Sequence, residues 1–241
     1  MEKPREPILV IVTPCYNEEE ALSETEKRLS EKLKQLISQG LISPKSALLF
    51  VDDGSSDNTW NLIEKYHKEN PLVFRGIKLT KNMGQQKALL YGLLSANDYA
   101  DVVISIDADL QDDIEAIDKM LESYSVGYEI VLGVRSGRET DGFFKRISAR
   151  FFYRFMRLLG AELVENHADF RLMGKDALNA LAKYNEKNIF LRGIVPFLGY
   201  KTDMVYYNRK QRYAGKSKYT LRKMLVLALG GLRLFCSRRS G

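Results

Sequence analysis

The sequence predicts a doubly wound, mostly parallel α/β sheet. Short apolar, β-branched runs recur through the first half, helical stretches separate them, and each of the first four runs ends in a polar cluster. Runs of that kind suit strands buried on both faces, and their alternation with helices at this spacing implies a mostly parallel sheet. In such sheets ligands bind beyond the carboxyl ends of the strands, so the polar clusters are where chemistry is expected.

Taken in order, Ile8 to Thr13 reads as the first strand, followed by a polar helix from Glu19 to Ser38 that Gly40 ends. Ala47 to Val51 is the second strand, and Asp57 opens a helix through Trp60, Leu62, Ile63 and Tyr66. Val73 to Leu79 is the third strand, with a helix from Gln85 to Ser95. Val102 to Ile106 is the fourth, with a helix from Ile114 to Tyr124, and Glu129 to Val134 is the fifth. The second half differs. In Phe143 to Leu159, Phe144, Ile147, Phe151, Phe155 and Leu158 share one helical face, with Arg146, Arg150, Arg154 and Arg157 on another. That pattern fits a helix in a membrane interface, and equally a basic surface helix whose aromatics pack on the sheet.

At 241 residues, 45% hydrophobic and 28% charged, the chain has the makings of a folded core. Its net charge of +6 invites an acidic partner: nucleic acid, an anionic membrane surface or a phosphorylated substrate. Neither a Cys/His zinc spacing nor an RNP-type aromatic pattern accompanies the basic half, which argues against nucleic acid. Cys15 and Cys236 are too few for a disulfide framework, which fits a reducing cytosol. The amino terminus lacks the apolar core of a signal peptide, and no stretch reaches the roughly 20 apolar residues that cross a bilayer.

The four polar clusters are Thr13-Pro14-Cys15-Tyr16-Asn17-Glu18, Asp52-Asp53-Gly54-Ser55-Ser56-Asp57, Lys81-Asn82-Met83-Gly84 and Asp107-Ala108-Asp109-Leu110-Gln111. Singly, each has an ordinary explanation: Asp-Gly-Ser is turn chemistry and Asp57 is a good helix N-cap. Together they are harder to set aside. Asp107 and Asp109 would place two carboxylates in one cleft, which is costly unless a cation lies between them. Hard oxygen ligands of that kind suit Mg²⁺ or Mn²⁺, with coordination positions left for phosphate oxygens. Gln111 adds a carbonyl oxygen beside them.

In this order, P-x-Y-N-E, DDGSSD, N-x-G and DADLQ resemble the family 2 glycosyltransferases. The resemblance is closest to the branch that charges polyprenyl phosphates, of the dolichol-phosphate mannose synthase and bactoprenol glucosyltransferase type. It extends to Gly133-Val134-Arg135, Ala168 to Met173 and Arg212 to Tyr219, and the last two blocks point to a lipid-phosphate acceptor. It implies a GT-A domain over residues 8–218, with a juxtamembrane amphipathic tail over 219–241. Pro14, Tyr16, Glu18 and Asp53 would then form the nucleotide pocket. Asp107, Asp109 and Gln111 would hold Mg²⁺ or Mn²⁺. Arg135, Arg146, Ser148 and Arg171 would face the acceptor phosphate, and Arg212 and Lys218 would close over the donor.

The function expected is inverting, metal-dependent transfer from a nucleotide-sugar, with UDP favoured, to a polyprenyl phosphate at the cytoplasmic face of the membrane, for cell-envelope glycan synthesis. The acceptor phosphate is largely a dianion at pH 7, so Asp169 is expected to position the acceptor or pair with Arg171 rather than act as a general base. In the tail, Met224 to Gly231 is too short to span a bilayer but suits an interfacial helix. Members of this branch usually continue into transmembrane helices. The departure at Gly230 to Arg239 fits a truncation, a frameshifted reading or a short peripheral form. The rival readings are a soluble family 2 transferase acting on a polysaccharide or protein, and a membrane-surface binding protein left inactive by truncation.

Overall fold

In the computed structural model, which describes residues 5–136, 167–184 and 191–210, the first apolar run is strand β1 (Leu9–Cys15). Leu9 and Ile11 serve one core and Val10 and Val12 the other, as expected for a strand covered on both faces. Helix α1 (Glu19–Ser38), strand β2 (Ala47–Asp52), helix α2 (Thr59–Glu69), strand β3 (Phe74–Lys78) and helix α3 (Gln85–Asn97) follow. Next come strand β4 (Val102–Ser105), helix α4 (Ala116–Ser125) and strand β5 (Ile130–Arg135). Beyond the five expected strands lie β6 (His167–Gly174), helix α5 (Lys175–Ala182), a single helical turn α6 (Leu191–Ile194) and β7 (Thr202–Tyr207).

The described strands form one sheet in the order β3-β2-β1-β4-β6-β5-β7. β6 runs antiparallel to both neighbours, and every other pairing is parallel. One core holds α1, α2 and α4, the other α3, α5 and α6. The chain steps from β1 outward to β2 and β3, then returns to β4 on the other side of β1. That reversal opens a crevice at the carboxyl ends of β1 and β4. The expected doubly wound, mostly parallel sheet is therefore present.

The expected basic helix at 143–159, the domain boundary at 218 and the tail at 219–241 lie outside the described residues. Among the described residues no helix is long and apolar enough to cross a membrane.

Hydrogen bonds join the first two polar clusters. Asn17, in left-handed backbone at φ 50°, donates its N–H to Ser55 Oγ (2.9 Å) and accepts from Ser56 N–H (2.8 Å). Asp57 accepts from Thr59 N–H at 3.0 Å and Glu19 N–H at 3.2 Å, while Glu19 accepts from Asn58 N–H at 2.9 Å. Asp57 thus serves the N-termini of both α1 and α2, answering donors that a helix start leaves unpaired.

Gly54 lies where the second polar cluster meets the 81–84 loop. Its φ is +70°, and a Cβ there would come within 2.6 Å of Lys81 C and 2.7 Å of Asn82 N. Both neighbours are backbone, so the 81–84 loop itself would have to move. Gly54→Ala is expected to cost about 2–4 kcal/mol, combining left-handed strain with overpacking. The midpoint of urea unfolding checks this; an unchanged midpoint would contradict it.

Candidate active site

The crevice is built by a relay of hydrogen bonds from one strand end to the next. Asp53, 3% exposed, accepts from Met83 N–H at 2.6 Å and Gly84 N–H at 2.9 Å. That grip fixes the loop leading into α3, whose first two residues both reach the centre. Gln85 Nε2 donates to Asp107 Oδ1 at 2.6 Å, and Gln86 Nε2 donates to Asp169 Oδ2 at 2.9 Å. Pro14, near the end of β1, and Tyr16 and Glu18, on the loop after it, are half-buried. Of the four residues expected at the nucleotide, Asp53 has the clearest structural duty, and a carboxylate so engaged retains lone pairs for a further donor.

The turn after β4 is shaped by Leu110, a buried residue at φ 56°, where a bulky side chain is an outlier. Thr25 of α1 supports it, with its hydroxyl 2.7 Å from the Ala108 carbonyl oxygen. Asp109, 8% exposed, accepts from Gln111 N–H at 3.1 Å. The Gln111 side-chain oxygen accepts from the Arg209 guanidinium. Lys210 follows Arg209 onto the same turn, donating its N–H to the Gln111 carbonyl at 2.9 Å and pairing its ammonium with Asp113 at 2.8 Å. The strand β7 exit therefore lies across the turn that carries the paired carboxylates.

Electrostatics push two neighbouring carboxylates in opposite directions. Loss of hydration, then the charges of Asp112, Asp169 and Asp109, push the half-buried Asp107 carboxyl up to about 8, with Arg192 pulling the other way. Asp169 is also stripped of water, but Arg192 and Arg171 overcome that and hold it well below the usual carboxylate range. Its Oδ1 meets the Arg171 guanidinium, and its Oδ2 lies 2.8 Å from Arg192 Nη2. The expected Asp169–Arg171 pair therefore forms.

The acceptor-phosphate residues expected from the sequence are placed as follows. Arg171 sits inside the sheet with 0% of its side chain exposed. Burial disfavours its charge and Asp169 opposes that effect. Arg135 pairs with the buried Asp112 at 3.0 Å, and Tyr207 donates its hydroxyl to the same oxygen at 2.5 Å. Arg146, Ser148, Arg212 and Lys218 lie outside the described residues. Arg192, in the short α6 turn, was not picked out from the sequence, where Leu191-Arg192-Gly193 carries no motif.

Among the described residues no three His, Cys, Asp or Glu side chains form a ready metal cage. The donor set at Asp107 and Asp109 nevertheless fits a hard cation. Loss of hydration, and then the charges of Asp112, Asp169 and Asp109, disfavour an ionised Asp107, and a divalent ion would offset both effects.

Residues 10–182 match the family model for Glycosyl transferase family 2. The chain is a family 2 glycosyltransferase. This glycosyltransferase is 53% identical over 233 residues to the uncharacterized glycosyltransferase YkoT of Bacillus subtilis (strain 168), covering 97% of this chain and 69% of the relative. It is 38% identical over 226 residues to the prophage bactoprenol glucosyl transferase homolog of Escherichia coli (strain K12), covering 93% of this chain and 71% of that one. Glucosyl-3-phosphoglycerate synthase from Mycobacterium tuberculosis, solved with Mn²⁺, uridine diphosphate and phosphoglyceric acid, superposes at a TM-score of 0.59. The match covers 95% of this chain and 78% of that one at 15% identity, a likeness of fold. The GT-A arrangement implied by the strand-end motifs is thus the fold of this glycosyltransferase.

Proposed function

We propose that this glycosyltransferase moves a sugar from a UDP-sugar to a polyprenyl phosphate, with inversion, for cell-envelope glycan synthesis. The observation that carries the reading is 38% identity across 93% of the chain to a relative named for bactoprenol glucosyl transfer. The carboxylates at the strand crossover supply a place for the chemistry.

Asp107 and Asp109 would hold Mg²⁺ or Mn²⁺, with Gln111 beside them. When bound, the ion supplies Lewis-acid stabilisation of charge on the departing nucleoside diphosphate. Pro14, Tyr16, Glu18 and Asp53 line the nucleoside side, and Arg212 and Lys218 add positive charge over the donor. Arg135, Arg146, Ser148 and Arg171 set the field on the acceptor side, Arg171 doing so through Asp169. The acceptor phosphate, with a second pKa of about 6, attacks as a dianion and needs no strong base. Asp169 fits that scheme: two guanidinium groups keep it ionised and leave it a poor proton acceptor near neutrality. Attack on the face opposite the leaving group inverts the anomeric centre. The lipid acceptor calls for peripheral association with an anionic membrane surface, through the basic segments at 143–159 and 201–239.

A donor panel of UDP-glucose, UDP-N-acetylglucosamine and GDP-mannose with undecaprenyl phosphate in detergent tests the reading. One UDP-sugar is expected to give a lipid-linked product with Mn²⁺, to lose it in EDTA and to regain it when Mn²⁺ is restored. No lipid-linked product from any donor, or transfer only to soluble sugars, would contradict it.

A further inference from the structure

A pair of carboxylates selects a cation only as well as its oxygens are held in place. Asp109 is met from its own turn, by the Gln111 N–H, whereas Asp107 is met from another element. Gln85 Nε2 donates to Asp107 Oδ1 at 2.6 Å, and among the described residues Asp107 Oδ2 takes no hydrogen bond. Asp107 is half-buried, so the second oxygen is the one left for a ligand.

Gln85 is itself firmly placed. It opens α3 directly after Gly84, whose φ of 91° turns the chain into the helix. Asp53 accepts from the Met83 and Gly84 N–H groups, and the Gly84 carbonyl accepts from Lys87 and Ala88 N–H at 2.9 and 3.1 Å. The backbone before the glutamine is therefore bound on both sides. Gln86, next along, donates to Asp169 and accepts from the Leu191 N–H, which further fixes the start of the helix. A neutral amide suits this position. It donates to the carboxylate yet adds no charge where Asp109, Asp112 and Asp169 already act on Asp107.

Holding one oxygen bears on which ion fits. A carboxylate with both oxygens free can chelate, which suits Ca²⁺ and its flexible shell of about six to eight ligands. With Oδ1 engaged by an amide, Asp107 offers a single oxygen, which suits the compact octahedral shell of Mg²⁺ or Mn²⁺. We propose that Gln85 is a positioning residue that limits Asp107 to one-oxygen coordination and so tunes the site to Mg²⁺ or Mn²⁺ over Ca²⁺. This rests on the cation reading given above and adds a residue from outside the strand-end motifs.

The test is calorimetric titration of nucleotide-free protein with Mn²⁺ and with Ca²⁺, for wild type, Gln85→Met and Gln85→Asn. Methionine keeps the length without the donor, and asparagine keeps the donor on a shorter stem. In Gln85→Met the Kd for Mn²⁺ is expected to rise about 10-fold or more. The Kd for Ca²⁺ is expected to change less than about threefold, because the freed oxygen lets Asp107 chelate. Gln85→Asn is expected to fall between, and both variants to melt close to wild type without metal. Transfer by Gln85→Met should fall at limiting Mn²⁺ and recover at saturating Mn²⁺. Equal losses for the two ions would mean a site merely loosened and would overturn the proposal. An unchanged Kd for Mn²⁺ would overturn it as well. So would transfer that saturating Mn²⁺ leaves impaired, which would put Gln85 on the substrate. Wild type that binds neither ion would refute the cation reading itself, a result distinct from equal affinities in all three proteins.

Discussion

Asp107→Asn is expected to lower transfer by roughly 10³-fold while making the metal-free protein more stable near and above neutral pH. The activity loss follows from removing one of two carboxylates that would hold the cation, an interaction worth several kcal/mol at the transition state. The gain in stability follows from the direction of the Asp107 shift. Its carboxyl is pushed up to about 8 in the folded chain, well above the ordinary carboxylate value of about 3.9. Between those two values the folded state binds more protons than the unfolded state, so stability falls as pH rises from about 4 through about 8. Asparagine removes the ionisation and with it that slope. Melting temperatures from pH 6 to 9 should decline in the metal-free wild type and stay flatter in the variant. Mn²⁺ should restore the wild type at high pH and leave the variant unchanged. A wild-type curve that stays flat, or Mn²⁺ stabilising both proteins equally, would refute the assignment.

The second large effect is on folding. Asp169→Ala is expected to destabilise the protein by about 3–5 kcal/mol, because it leaves the fully buried Arg171 with no counter-charge. Arg192 loses less, since its partly exposed side chain can turn to water. The Asp169 carboxyl is held low, so the stability it contributes is fully present above the ordinary carboxylate range and is lost only in strong acid. The pair should therefore be insensitive to pH where Asp107 is sensitive. An apolar replacement of both partners, Asp169→Leu with Arg171→Met, should recover most of the stability and none of the transfer. Urea denaturation of the single and double variants checks this. Equal instability in both would show that the charges matter less than the shape they fill.

Much of the first half was legible because β1, β2 and β4 are nearly unbroken apolar runs, while the partly exposed β3 carries Arg75 and Lys78. α1 begins at Glu19 and ends at Ser38 as its periodicity says, and β2 extends only one residue beyond the apolar run, to Asp52. β6 gave no such signal. His167 to Gly174 alternates Asp169 and Arg171 with Phe170 and Leu172, which reads as half-exposed polar text. It is buried because the two charges neutralise each other across adjacent turns of the pleat, a tertiary fact that no local pattern encodes. β7 is short and carries exposed Met204 and Tyr206, so its pattern is weak as well. At the site, DADLQ announced the paired carboxylates. Gln85 and Gln86, which reach Asp107 and Asp169, looked like ordinary helix residues, and Thr25 looked like part of the polar face of α1. Such roles depend on which strands become neighbours, and sequence spacing does not say that.

β6 fills a gap between two strands that leave the ribosome well before it. β3, β2, β1 and β4 can assemble as soon as residue 105 is free, yet β4 and β5 have no common partner until residues 167–174 have been synthesised. Asp169 arrives on β6 together with Arg171, its counter-charge, whereas Asp109 and Asp112 stand beside Asp107 from the start. A nascent chain thus carries an acidic half-site without its arginine partner until β6 arrives, and anything that binds the finished cluster will favour the closed sheet over its open precursor.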